Sequence, residues 1–380
     1  MRAIRFHGAR DIRIDEVEEP VCGVDQVKRL LEYAEVVCSS VQVEKESRCT
    51  SNGIDLHEYL SGPSAVPIAP HPLTGEKLPT TLGHEFSGTI EEIGEGVSSF
   101  KPGDRVTVMP NLYDGTCVRC QLGKFHQCEN LGFIGFSGSA GGLSDHVVVK
   151  KEQVVLLPDS ISLEIGALVE PLSVAWHAVS QSPIQKMDRD KLIALIVGVG
   201  PIGLAIVQVL KAQGVKTIVA ADISQKRRES AVSFGATLVL DPTQVDVVSK
   251  VRGLTMDGGA SIAFECSGVQ LGFDSAVAAT RPGGTTVIVS QWMQRATFDI
   301  FDVMLHEKRL VGAVVYEKKD FEAVIKAIDS GQIVPGPMIT SKIRMDQVVE
   351  KGFRALIEET DLHVKILVEI HASHPRANHL

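Results

Sequence analysis

The sequence lacks several features that would assign it to a simple functional class. It has no excess of positive charge, because 38 Lys and Arg residues stand against 47 Asp and Glu residues and the net charge is −9. Nucleic-acid binders usually carry a basic face, so we expect no nucleic-acid partner. The N-terminal residues alternate charged and apolar types without the apolar core of a signal peptide, which predicts a cytoplasmic protein.

A continuous membrane-spanning run and an even set of cysteines are also missing. The longest apolar run, residues 192–210, is broken by Gly198, Gly200, Pro201 and Gly203. This break suits a buried strand that turns into a helix, whereas a membrane span needs about 20 apolar residues. The seven cysteines are odd in number and closely spaced, which favours metal binding in a reducing compartment over disulfides.

The chain contains two kinds of secondary-structure pattern. Up to about residue 150, short β-prone segments end at Gly, Pro or Asp, which predicts a mostly β region. From about residue 190, apolar strands alternate with helical patterns, which predicts an α/β fold with a doubly wound parallel sheet. Residues 29–52 fit neither pattern, and residues 363–370 are expected to form a final strand.

A glycine-rich turn predicts a dinucleotide site. G-x-G-x-x-G lies between an apolar strand and a helical segment, where glycines permit a tight turn and close approach to a pyrophosphate. Asp222 follows Gly203 by 19 positions, where a carboxylate can accept a hydrogen bond from a ribose hydroxyl. Its charge favours NAD over NADP, although Arg227 could receive a 2′-phosphate or belong to a solvated helix face. The candidate cofactor-binding residues are Gly198, Gly200, Pro201, Ile202, Gly203, Asp222 and Arg227.

A first group of candidate metal ligands lies in one short segment. Cys117, Cys120 and Cys128 form C-x2-C-x7-C, and Asp114 lies three residues before the first cysteine. Thiolates this close in sequence can converge on one tetrahedral zinc, with a carboxylate as fourth ligand. The alternative is a set of free, partly buried thiols. A closed site of this kind predicts a structural role.

A second group of candidate ligands is spread along the chain. His84 and Glu85 are adjacent and flanked by glycines, and Glu170 lies in the segment ALVEPL. Glycines let a loop present both side chains to one cavity. Asp55 could orient His84, and His57 could pass a proton from a substrate to solvent.

Together these motifs resemble the zinc-containing medium-chain alcohol and polyol dehydrogenases, in the branch that includes sorbitol and 2,3-butanediol dehydrogenases. The likeness is greatest to fungal-type butanediol dehydrogenases. The shared segments, which extend over nearly the whole chain in the same order, are GIDLHEYLSGP, HPLTGEKLPTTLGHEFSG, KPGDRV, YDGTCVRCQLGKFHQC, GGLSDHVVV, EIGALVEPLSVAWHA, VGVGPIGLA and HVKILV.

The resemblance implies a GroES-like mostly-β catalytic domain at residues 1–165 and an NAD-binding Rossmann domain at 166–308. Residues 309–380 would then return to the catalytic domain. It implies NAD in the interdomain cleft, a small alcohol or polyol substrate, and a homo-oligomer that is a dimer or tetramer. A zinc ion would polarise a secondary alcohol for hydride transfer.

The resemblance also implies roles for the candidate ligands. His84 and Glu85 would bind catalytic zinc, with Glu170 as a direct or water-bridged ligand. The three clustered cysteines would bind structural zinc, and Asp114 stands where many relatives have a first cysteine.

Residues 29–52 depart from the family pattern as an atypical insert. Relatives have Cys-Gly-Ser/Thr-Asp where this chain has Asn52-Gly53-Ile54-Asp55, so a thiolate ligand and a relay hydroxyl are absent at their expected positions. Cys49 could replace the thiolate if the loop doubled back. The insert is either genuine or an artefact such as a translated intron.

Three functional hypotheses follow. The first is a zinc-dependent oxidoreductase that transfers hydride from a small secondary alcohol, diol or polyol to NAD. The second is an NAD-binding family member that has lost catalytic zinc and alcohol turnover. The third is a zinc-independent enone or quinone reductase, against which the retained metal-ligand group speaks.

Overall fold

The structure is a computed structural model that describes residues 1–36, 42–44, 48–50 and 54–371, with side chains at 1–36 and 55–371. Within these ranges the strands are β1 (Arg2–Gly8), β2 (Asp11–Glu16), β3 (Gln26–Val36), β4 (Gln42–Glu44), β5 (Arg48–Thr50), β6 (Thr80–Thr81), β7 (Phe86–Ile93), β8 (Arg105–Val108), β9 (Asn111–Leu112), β10 (Gly132–Phe133), β11 (His146–Lys150), β12 (Val154–Leu156), β13 (Ile193–Val197), β14 (Thr217–Ala221), β15 (Leu238–Leu240), β16 (Ala260–Glu265), β17 (Thr280–Ile288), β18 (Arg309–Gly312), β19 (Ile339–Arg344) and β20 (Lys365–Glu369).

The helices are numbered in the same way. They are α1 (Ile54–Ser61), α2 (Val118–Gln121), α3 (Leu163–Ala167), α4 (Val169–Ser180), α5 (Pro201–Ala212), α6 (Gln225–Phe234), α7 (Val247–Arg252), α8 (Gln270–Ala279), α9 (Ile300–Leu305), α10 (Lys318–Asp329) and α11 (Ala355–Glu358). None of the described helices is long and apolar enough to span a membrane.

The first large sheet combines strands from both ends of the chain. Its order is β12-β8-β7-β3-β20-β19, and β11 also pairs with β3. Leu31 and Phe86 are fully buried in the core that this sheet covers. A GroES-like, mostly-β domain, as predicted from the sequence, is confirmed.

Strand β3 lies at the centre of that sheet and contains the first part of the predicted insert. Residues 29–36 continue β3 and pair with β7 and β20. The alternation is hard to see in the sequence because the pairing with β7 shifts register between Leu31 and Tyr33, and because the charged Glu35 is buried as well. Residues 29–36, the first part of the predicted insert, are therefore part of a central strand of this sheet.

The second large sheet is parallel throughout. Its order is β15-β14-β13-β16-β17-β18, which confirms the predicted doubly wound sheet. All five residues of β13 are buried, because helices cover both faces of such a sheet and select continuous apolar strands. Ligands of this architecture bind outside the carboxyl ends of the strands.

Helices α3 and α4 connect the two sheets. Helix α3 packs against β3, β7 and β8, whereas α4 packs against α5 and α10. The Ser162 hydroxyl caps α3 by accepting from the Ile165 amide at 3.3 Å. Glu170 lies in the first turn of α4 and is buried, so the connection itself places a carboxylate between the two halves of the chain.

Candidate metal and cofactor sites

A buried cluster brings together His84, Glu85 and Glu170. One ligand atom from each side chain lies within 4.8 Å of the others. His84 and Glu85 immediately precede β7, where Gly83 has a φ of +96° and a Cβ would lie 2.8 Å from the Leu143 amide nitrogen. Only glycine fits this turn without strain, and the turn points the two following side chains into the interior.

The electrostatics of this cluster favour a cation. Burial lowers the pKa of His84 to about 3, so the imidazole is neutral and its nitrogens can act as ligands. Burial raises the pKa of Glu170 to about 7 and that of Glu85 well above its usual value. Carboxylates with raised pKa values lack sufficient compensation for their charge, and a bound divalent cation would provide it. The residues present therefore fit a metal ion.

Three residues that the sequence analysis did not identify surround this cluster. The Lys365 ammonium lies 2.9 Å from a Glu35 carboxylate oxygen and also pairs with Glu85. Tyr316 is fully buried, and burial beside Glu170 raises the pKa of its hydroxyl. The available sequence signal for Lys365 was a lysine directly before the apolar residues Ile366, Leu367 and Val368 of the predicted final strand. Nothing in the local sequence distinguishes Glu35 or Tyr316 from ordinary strand and loop residues.

Helix α1 carries two residues to which the sequence analysis gives roles. Asp55 lies near the buried cluster, and His57 contacts side chains at the surface. An Asp55 carboxylate oxygen lies 3.9 Å from His84 Nδ1. His57 is buried, with Nδ1 3.1 Å from Ser64 Oγ and Nε2 3.3 Å from Ser61 Oγ, and both serines are exposed. Burial lowers the pKa of His57, so the neutral imidazole can accept a proton. These contacts connect a buried imidazole to the protein surface.

Cys49, the predicted replacement for the missing thiolate ligand, is described only in its backbone. The backbone of Cys49 lies in β5, opposite Val43 of β4. The side chains of Cys49 and Ile54, and the whole of Asn52, lie outside the described residues.

The second cluster contains Asp114, Cys117, Cys120 and Cys128, whose ligand atoms also lie within 4.8 Å of one another. The sulfurs of Cys117 and Cys128 are 3.9 Å apart, close to the roughly 3.8 Å expected between thiolates bound to one tetrahedral zinc. Backbone hydrogen bonds, from Glu129 foremost, lower the pKa of Cys117. Amides directed at the Cys117 sulfur in this way would stabilise it as a thiolate ligand.

Asp114 is held in place at the edge of this cluster. One of its carboxylate oxygens accepts from the Thr116 and Cys117 amides at 2.7 and 2.8 Å, and the other accepts from the Asn130 side chain at 3.0 Å. Hydrogen bonds from the Cys117 and Thr116 amides hold the pKa of Asp114 well below its usual value. The carboxylate is therefore ionised and oriented, as a fourth ligand would need to be.

The glycine-rich turn has the geometry of a dinucleotide loop. Gly198 has a φ of +87°, Gly200 caps α5, and Pro201 and Ile202 form the first turn of that helix. A Cβ at Gly203 would collide with the carbonyl oxygen of Gly198. The helix N-terminus thus approaches the strand closely, which leaves its amides free to face a phosphate.

A pocket of about 600 Å³ lies beside this turn, and its lining includes Gly198, Asp222 and Arg227. The carboxylate oxygens of Asp222 accept from the Val199 and Ser224 amides at 2.8 and 2.9 Å. The Arg227 guanidinium donates to the Thr360 carbonyl oxygen at 3.0 Å. The structure therefore brings Asp222 and Arg227 to one pocket but turns the arginine toward the C-terminal segment.

Comparison with known proteins gives consistent matches over the whole chain. Residues 40–159 match the alcohol dehydrogenase GroES-like domain, and residues 201–330 match the family described as zinc-binding dehydrogenase. The chain is 39% identical over 370 residues to a (R,R)-butanediol dehydrogenase of Bacillus subtilis, with 97% of this chain and 99% of the relative covered. A (R,R)-butanediol dehydrogenase of Saccharomyces cerevisiae is 36% identical, with 85% and 89% covered. The crystal structure of 2R,3R-butanediol dehydrogenase from Bacillus subtilis has a TM-score of 0.87 at 38% identity, with 97% and 99% covered.

The two clusters predict about two zinc ions per chain, one for each. Replacing Cys128 by Ser should remove one equivalent and lower Tm, because a closed site with thiolate ligands contributes directly to folding. Replacing His84 by Ala should remove the other equivalent with a smaller change in Tm. Elemental analysis by mass spectrometry, together with thermal unfolding, measures both quantities. Retention of two equivalents in the His84 variant would contradict the assignment of the buried cluster.

Proposed function

The chain belongs to the zinc-binding dehydrogenases that carry an alcohol dehydrogenase GroES-like domain, and from this premise we propose that it transfers hydride from a small secondary alcohol to NAD. The observation that carries the proposal is the buried convergence of His84, Glu85 and Glu170. The retained cluster also speaks against a zinc-independent enone or quinone reductase, which has no need of it.

The substrate that we propose is a vicinal diol, oxidised reversibly to the hydroxyketone. Support comes from relatives named (R,R)-butanediol dehydrogenase at 39% and 36% identity. His84, Glu85 and Glu170 would hold the zinc ion, and bound zinc would supply a Lewis acid that polarises the alcohol oxygen. These three side chains are buried, so the site that they form has little contact with bulk solvent.

His57 has the contacts of a proton carrier in this reaction. Oxidation of an alcohol releases a proton, which must leave a buried site. The contacts of His57 with Ser61 and Ser64 lead from the interior to exposed hydroxyl groups. Glu58 fixes one end of this path, because its carboxylate accepts from the Ser64 amide at 2.9 Å. We assign to His57 the transfer of the proton and to Asp55 the orientation of His84.

A turnover assay combined with metal analysis tests the proposal. The purified protein is expected to hold two zinc equivalents and to form NADH with vicinal diols in a screen that includes sugar alcohols. The His57→Ala variant should keep its zinc but lose roughly 100-fold or more in kcat, the usual range for removal of a general base. One zinc equivalent with no diol turnover would instead support a family member that has lost its catalytic metal.

We propose NAD as the cofactor because of the position and charge of Asp222. Its carboxylate is fixed by two backbone amides at the rim of the pocket. A negative group there accepts from ribose hydroxyls and repels a 2′-phosphate. The nearest candidate for receiving that phosphate, Arg227, is committed to Thr360.

Changing Asp222 to Ala should raise KM for NAD by roughly 10- to 100-fold, the value of a hydrogen bond to a charged group, and lower KM for NADP. Asp222→Asn should relax the discrimination with less disturbance, because the amide keeps an oxygen acceptor. Initial-rate kinetics with both nucleotides measures the effect. The exposed Asp190 supplies the control, since Asp190→Ala should leave both KM values unchanged. Equal cofactor preference in the wild type and the Asn variant would count against Asp222.

We also propose that the chain forms a homodimer through α9 and the edge strand β18. The inner side of α9 is anchored by Asp302, which pairs at 2.9 Å with the buried Lys308. Its apolar side chains point outward, with Ile300 67%, Phe301 60% and Met304 63% exposed. Among the described strands, β18 is the last of the parallel sheet and pairs with β17 alone. A twofold axis would pair its other edge with the same edge of a second copy.

Met304→Asp should convert the dimer to a monomer, because it places a charge in the apolar centre of this face. Met256→Asp is the matched control, since Met256 is a fully exposed methionine elsewhere on the surface. Multi-angle light scattering gives the mass of each variant. A dimer that survives the Met304 change would place the interface on another face.

A further inference from the structure

The charged residues behind the buried cluster include one acid that belongs to none of the roles assigned above. We propose that Glu35 is a positioning residue that sets the divalent-cation affinity of the His84, Glu85 and Glu170 cluster by holding the ammonium group of Lys365. This inference rests on the proposed function, because it takes the cluster to be a zinc site.

The strand order places Glu35 between its two charged neighbours. On one side, the Glu35 amide donates to the Glu85 carbonyl oxygen at 3.1 Å. On the other side, Glu35 lies opposite Leu367 of β20, two residues beyond Lys365. Lys365 therefore reaches from the neighbouring strand into the space between two carboxylates.

All three side chains are removed from solvent. Glu35 and Lys365 are 0% exposed and Glu85 is 2% exposed. A buried ion pair that loses one member leaves an uncompensated charge, so the remaining groups must find other partners. Among the described residues, the ion-pair partners of Lys365 are Glu35 at 2.9 Å and Glu85.

This geometry makes Glu35 the competitor of Glu85 for one ammonium group. With Glu35 in place, Lys365 is neutralised from the far side and Glu85 can turn toward a metal ion. Without the negative charge of Glu35, Lys365 would bind Glu85 alone and would repel a cation at the cluster. Glu35, Glu85 and Glu170 together with Lys365 carry a net charge of −2 when all are ionised. The Asp55 carboxylate beside His84 adds to this negative charge, which favours a divalent ion at the cluster.

Zinc affinity of the full-length protein tests the inference, measured by equilibrium competition with a chromophoric chelator. Glu35→Gln should weaken binding at the buried cluster by roughly tenfold or more, as expected for one charge at short range in a protein interior. Lys365→Met should strengthen binding, because it removes the competing positive charge. Lys365→Arg retains the charge and should behave like the wild type.

The double variant separates positioning from a direct effect of charge. If Glu35 acts through Lys365, the Glu35→Gln change should have little effect on zinc affinity in the Lys365→Met background. If it acts on the metal directly, the loss should be the same in both backgrounds, and that result would overturn the inference. Glu32→Gln is the matched control: Glu32 lies on the same strand, accepts from Thr89 Oγ1 at 2.6 Å, and should leave the affinity unchanged.

The outcomes also distinguish this inference from the proposed function. If the wild type holds zinc only at the cysteine cluster and His84→Ala changes nothing, both proposals fail. If His84→Ala abolishes a second zinc site while Glu35→Gln matches the wild type, only the inference fails. Should Lys365→Met not fold, the comparison of Glu35→Gln with Glu32→Gln still decides, since an unchanged affinity in both overturns the role of Glu35.

Discussion

Compensation of buried negative charge is the constraint on which the centre of this protein depends. Glu35, Glu85 and Glu170 are withdrawn from water within one small region, and Lys365 supplies the single buried ammonium that pairs with the first two. Ionised carboxylates are costly in such surroundings unless they are paired or bind a metal. Burial raises the pKa of Glu170 to about 7, and a divalent ion would offset the cost of ionising that carboxylate in this region.

The parts of the chain that meet this constraint come from different structural units. Glu85 precedes a strand of the mixed sheet, whereas Glu170 begins a helix that packs on the helices of the parallel sheet. The cysteine cluster is connected to that same helix, because the rings of His126 and His177 lie 4.9 Å apart and His177 pairs with Asp320 at 2.7 Å. Helix α4 thus carries one residue of the buried cluster, Glu170, and contacts the segment that bears the cysteines through His126.

Sequence patterns are sufficient where the interaction is local. The spacing of Cys117, Cys120 and Cys128 predicts that their sulfurs converge, and the glycines at 198–203 predict a tight turn. In each case the residues that interact lie in one short segment. The parallel sheet is also predictable, since central strands such as β13 are continuous apolar runs. Glu35 and Lys365 are 330 positions apart in the sequence, and no local pattern indicates that they pair. No helix or strand could be predicted from the sequence after Val36 either, because that segment has neither clean alternation nor a sustained helical face.

The strand order has a consequence for how the molecule is made. The parallel sheet is complete once the chain has reached Gly312, so this half can fold while synthesis continues. Strand β3 must wait for β20, which pairs its residue Ile366 with Val36 across almost the full length of the chain. Until the ribosome has released β20, the part of β3 from Tyr33 to Val36 is open along one edge to wrong partners, whereas β11 already pairs with the residues before it. The ammonium of Lys365 belongs to β20 and pairs with Glu35 and Glu85, so completion of the first large sheet and pairing of these buried carboxylates are one late event.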